Sequence, residues 1–165
     1  MNPVTPLFAI ALLTTSAAAQ PHPDFTGRWT SERAQTAGSM GSGWGPTITV
    51  TQDANRLTVE YPFYTPYDMQ PPLRFTYALD GSETKNRVTM GRGLQVQSAR
   101  AEWKGRQLVI TTTLPFSNPD DGRPMTSEVT RTLTLESPTS LVVETVFGGA
   151  LGGPSTTTRT SYHKP

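Results

Sequence analysis

From Gly27 onward, apolar and polar residues alternate over short runs, and Gly, Pro, Asn and Asp interrupt them every few residues. No stretch sustains a helical repeat, so the pattern predicts an almost purely β chain. Strands are expected over Gly27–Ser31, Thr47–Gln52, Leu57–Tyr61, Leu73–Leu79, Arg87–Met90, Gln95–Trp103, Arg106–Leu114, Glu128–Leu135, Leu141–Phe147 and Thr156–His163.

Side chains on a strand alternate between two faces, so matching the apolar faces sets a register for three hairpins. A turn over Asp53–Arg56 places Val50 opposite Val59 and Ile48 opposite Tyr61. Lys104-Gly105, read as a two-residue turn, places Trp103 opposite Arg106, Ala101 opposite Leu108 and Ala99 opposite Ile110. A turn around Pro138 places Leu135 opposite Leu141, Leu133 opposite Val143 and Arg131 opposite Thr145. Each hairpin then has one apolar and one polar face, as in an antiparallel sheet that is dry inside and wet outside.

Alternate connections of a meander lie at opposite ends of the sheet. The tight turns (Asp53–Arg56, Asp80–Asn86, Lys104-Gly105, Glu136–Ser140) all fall at one end. Four longer connections fall at the other: Glu32–Pro46, Pro62–Pro72, Pro115–Ser127 and Gly148–Ser155. The expected architecture is a single up-and-down antiparallel barrel of eight to ten strands with a closed base and an open mouth.

Composition narrows the setting. The first nineteen residues carry no charged side chain; Leu7–Leu13 is apolar, and Thr14-Thr15-Ser16 leads to Ala17-Ala18-Ala19. This is the pattern of a secretory leader cleaved after Ala19, leaving one domain over residues 20–165 and a periplasmic or secreted location. Seven apolar residues are too few to span a bilayer. The chain has no cysteine, which excludes disulfides, thiolate metal sites and cysteine nucleophiles. Fourteen basic and thirteen acidic residues are scattered without a basic run, so nucleic acid is not an expected partner.

Candidate chemistry is sparse. Tyr61, Phe63, Tyr64, Tyr67 and Met69 crowd a proline-rich mouth loop, and Trp44 sits in a glycine-rich loop at the same end. They read either as a ligand-contacting rim or as a lid that simply covers the core. Along the inner face, Gln97, Ala99 and Ile110 grade from polar at the mouth to apolar below, and Arg131 lies on the same face as Leu133 and Val129. An inward guanidinium needs a carboxylate, water or an anionic ligand to offset its desolvation. His22 and His163 come together if the first and last strands pair, yet with Asp24 alone beside them they make a poor metal site, and no cofactor is expected. No Gly-x-Ser-x-Gly or Ser-x-x-Lys spacing occurs, so catalysis has no residue set to recommend it.

Gly27-Arg28-Trp29 on the first strand, with Arg159 and Tyr162 on the last, resembles the calycin pattern of lipocalins and fatty-acid-binding proteins. That resemblance implies a base in which Trp29, after Gly27, packs under Arg159. The lipocalin Thr-Asp-Tyr motif is absent, and Arg159 and Tyr162, three apart, point to opposite faces of a regular strand. The opening Asp24-Phe25-Thr26-Gly27-Arg28-Trp29 and the segment Tyr77-Ala78-Leu79-Asp80-Gly81-Ser82-Glu83 are also similar to bacterial exported lipocalin-like barrels of uncharacterised function. Two functions are expected from these features. One is non-catalytic binding or carriage of a small, mainly apolar molecule in the cell envelope. The other is a filled barrel that uses its rim for protein contact. Outward Arg100, Glu102, Thr111 and Thr113 argue against an integral outer-membrane barrel.

Overall fold

The computed structural model describes residues 21–31, 43–65, 68–90, 93–149 and 153–165. The expected leader lies outside these residues. Ten strands follow one another: β1 (Gly27–Ser31), β2 (Thr47–Gln52), β3 (Arg56–Thr65), β4 (Asp68–Ala78), β5 (Thr84–Met90), β6 (Gly93–Lys104), β7 (Gln107–Ser117), β8 (Pro124–Ser137), β9 (Ser140–Phe147) and β10 (Thr156–His163). Among the described residues there is no helix, and none long and apolar enough to cross a membrane.

All ten belong to one antiparallel sheet in the order β4-β3-β2-β1-β10-β9-β8-β7-β6-β5. Sequence neighbours pair as hairpins, and β1 pairs with β10 at Ser31 and Tyr162, which curls the sheet back on itself. The result is a nearly closed up-and-down barrel, compatible with a lipocalin-like fold. Closure is completed at β4 and β5 by side chains, because no backbone ladder joins those two strands. Asn86 accepts from the Thr76 N–H at 2.7 Å and donates to the Thr76 carbonyl at 3.0 Å, and the Ala78 N–H donates to the Thr84 hydroxyl at 3.1 Å. These bonds satisfy backbone groups of β4 that would otherwise be orphaned at a sheet edge.

Two of the expected hairpin registers are present: Val50 opposite Val59, and Leu135, Leu133 and Arg131 opposite Leu141, Val143 and Thr145. The middle hairpin is shifted by two residues. Trp103 faces Leu108, Ala101 faces Ile110 and Ala99 faces Thr112, with Lys104 opposite Gln107. The two-residue turn is Gly105-Arg106, and Gly105 takes the positive φ of +61° that such a turn favours. A slip of two preserves every face, so the apolar residues still point inward.

The mouth also differs from expectation. Pro62–Pro72 and Pro115–Ser127 are largely strand, because β3, β4, β7 and β8 run on to Thr65, from Asp68, to Ser117 and from Pro124. Tyr, Phe, Thr and Val favour extended backbone, and the prolines that suggested loops sit where the ladder tolerates them. The β3–β4 register shifts between Tyr61 and Phe63, setting Pro62 against Pro71-Pro72 at an irregularity where N–H donors are not required.

Below the barrel, residues before β1 close the base. Gln52 clamps them by accepting from the Phe25 N–H at 3.0 Å and donating to the Pro23 carbonyl at 3.0 Å. Phe25 and Trp29 are fully buried, and the Trp29 indole N–H donates to the Phe25 carbonyl at 2.9 Å.

Candidate functional site

Cross-strand neighbours stack the interior in layers. A low layer reads Trp103, Leu108, Leu133, Val143 and the half-buried Thr160, and its buried members are apolar. The layer above it reads Ala101, Ile110, Arg131, Thr145 and Thr158, and the next reads Ala99, Thr112, Val129, Phe147 and Thr156. In these layers, buried polar side chains begin at the height of Arg131. Arg131, Thr112, Thr145 and Gln97 are all buried there.

Arg131 is the centre of this band. Its guanidinium carbon lies 5.0 Å from the ring centre of Trp44, a cation–π contact. Trp44 in turn is tilted against Tyr77 at 6.5 Å, and both rings are almost fully buried. Tyr61, which stacks on Phe75 at 5.8 Å, and Tyr162 complete a set of three phenols whose charge couples to Arg131. Burial pushes the Arg131 pKa below its ordinary value, and the phenols oppose that shift. The reciprocal effect is visible at Tyr77, where burial drives the phenol up to about 12 while the Arg131 charge pulls against the rise. Burial likewise raises Tyr61. The raised phenols of Tyr61 and Tyr77 stay neutral at physiological pH, and the guanidinium stays charged. Among the described residues, the Thr112 hydroxyl is buried with no hydrogen-bond partner.

The segment that carries Trp44 is built to turn sharply. Gly43 and Gly45 on either side have φ of +74° and +75°, a region costly for any residue with a Cβ. A Cβ at Gly43 would also lie 2.6 Å from an Arg131 guanidinium nitrogen. The Tyr162 hydroxyl donates to the Gly45 carbonyl at 2.8 Å, and the Ser31 N–H donates to the Pro46 carbonyl at 2.8 Å. Trp44 is thus pinned between two glycines against Arg131 and Tyr77.

The structure brings Trp44, Tyr61 and Arg131 together and places Gln97, Ala99 and Ile110 on the same inner surface. Phe63, Tyr64 and Met69 lie on strands, with Tyr64 opposite Met69 and Phe63 opposite Gln70, and Tyr67 lies outside the described residues. At the base, Gly27 precedes buried Trp29 as expected, but Arg159 does not cover it. Arg159 is exposed and bonded to Glu136 at 2.7 Å, because Tyr162 faces inward and a residue three away faces outward. Lys164 takes the place over Trp29, 4.6 Å from the ring centre. The two histidines serve separate contacts: His22 stacks on Trp103 at 4.2 Å, and His163 pairs with Thr30 across β1–β10. Among the described residues, no group of three or more His, Asp or Glu is arranged to hold a metal ion.

Tyr77 and Lys164 are site or base residues that sequence reasoning left out, whereas Thr145 and Tyr162 entered it only through register and resemblance. The alternation Leu73-x-Phe75-x-Tyr77 carries the signal for Tyr77, whereas Lys164 follows the last strand and no periodicity reaches it. A cleft of about 290 Å³ lined by His22, Asp24, Gln52, Asp53 and Trp103 lies beneath the base and reaches the interior layers only at Trp103. Comparison with known proteins finds no family model, no curated protein and no solved structure that matches the chain.

Proposed function

We propose that this chain is an exported, lipocalin-like barrel that binds and carries a small amphipathic molecule in the bacterial cell envelope, without catalysis. The ligand is mainly apolar with an anionic or strongly polar end. Its polar end meets Arg131, Gln97 and Thr112, and its apolar part occupies the space that Trp44 fills. The observation that carries this reading is the polar band inside an otherwise apolar barrel, where the unpartnered Thr112 hydroxyl and a buried guanidinium packed on Trp44 lie among the inner residues. A buried polar group without a partner is costly, so its presence at one height favours a polar occupant there.

A second reading, a filled barrel acting through its rim, is favoured by the interior packing. Ala101, Leu108, Ile110, Leu133, Thr145 and Tyr162 are all fully buried in the structure. Native mass spectrometry of the protein from Gln20, exported by its own leader and purified without detergent, separates the two. The binding reading predicts a reproducible extra mass that is lost in Arg131→Ala and Trp44→Ala. A clean mass that stays clean after exposure to bacterial lipid extract would overturn it in favour of the filled barrel.

A further inference from the structure

We propose that the β4–β5 seam is a lateral gate, a line along which the barrel opens as a unit while the other strand pairs stay closed, with Asn86 as its latch. Every other neighbouring pair in the sheet is joined by a backbone ladder, and this one is not. Among the described residues, three hydrogen bonds cross it, and each uses a β5 side chain: the Asn86 amide accepts from the Thr76 N–H and donates to the Thr76 carbonyl, and the Thr84 hydroxyl accepts from the Ala78 N–H. All three lie toward the turn that joins the strands, at Asp80-Gly81. Toward the mouth, β4 continues to Asp68 and β5 to Met90 without a ladder between them.

A ladder breaks only by losing many mutually supporting bonds, whereas two side chains can rotate away from a backbone singly. On neighbouring β6 the inner residues opposite Thr84 and Asn86 are Ala99 and Gln97, of which Ala99 adds little bulk behind the seam. Parting the strands exposes the Phe75 and Val88 side of the interior, which gives a route to the polar band that bypasses Trp44. That route matters only if the binding reading above holds; the gate itself stands apart from it.

Amide hydrogen exchange on the whole protein tests the gate without any ligand. The expected result is that the Thr76 and Ala78 amides, whose bonds cross the seam, exchange at one common rate, at least tenfold faster than the β7–β8 amides. Asn86→Ala then speeds the whole group by about tenfold and leaves β7–β8 unchanged, and the milder Thr84→Val, which keeps shape and loses the hydroxyl, moves the group in the same direction. Equal protection at the seam and in β7–β8, or a response to these variants confined to the single amide whose acceptor was removed, would overturn the gate.

Discussion

Arg131 and Tyr77 share one buried environment, and each alters what the other can do at the ends of the pH scale. The Tyr77 phenol ionises at about 12 in the folded chain, against about 10 when exposed. Below pH 10 both states hold the proton and stability is unaffected. Between 10 and 12 the unfolded chain loses its proton first, so stability falls as pH rises, by up to about 2 to 3 kcal/mol once the pH exceeds the folded value. Denaturant unfolding across pH 9 to 12 should show this loss, Tyr61 adding to it in the same direction, and Tyr77→Phe should flatten it. At the base, the contact made by Lys164 rather than Arg159 predicts an asymmetry. Lys164→Met should cost about 0.5 to 1 kcal/mol through the lost cation–π contact. Arg159→Met should cost less than about 0.5 kcal/mol, because both it and Glu136 are well exposed. Equal costs would return Arg159 to the base.

At the scale of elements, what could be read in advance follows from what a period of two encodes. Val50, Leu133 and Leu141 announce their strands and faces because an antiparallel pair with one dry side cannot slip by one residue. A slip by two leaves the faces intact, so nothing in the alternation around Trp103 and Leu108 separates one turn from the other. Gly105 decides it through its left-handed backbone, with open space where a Cβ would stand. Gly105→Ala should therefore cost about 1 kcal/mol from backbone strain alone, and Gly105→Asn less, as thermal or denaturant unfolding would measure. Strand ends at the mouth were obscured by prolines, which interrupt a ladder only where its N–H is needed. The candidate site was legible as far as Arg131, Trp44 and Tyr61 share the inner mouth. Their association with Tyr77 and Tyr162 depends on how four distant strands converge, and local patterning does not contain that.

Across the whole molecule, the barrel is a graded interior with two different halves. The base is sealed by aromatic packing of Phe25, Trp29 and Trp103, with a lysine laid over Trp29. The upper half is polar, and there the buried Trp44, between two glycines, packs on Arg131. An apolar ring packed on a buried cation suits a device that exchanges one contact for another, since a ligand with an anionic end and an apolar body would replace both contacts of Trp44. The most direct measurement is fluorine NMR of the protein labelled with 5-fluorotryptophan, with the Trp44 line assigned by Trp44→Phe, during titration with dodecanoate and, separately, dodecylammonium. The account predicts that dodecanoate moves the Trp44 line and leaves the Trp29 line in place, and that the cation of equal chain length does neither. A Trp44 line that stays fixed through dodecanoate and through bacterial lipid extract would contradict it.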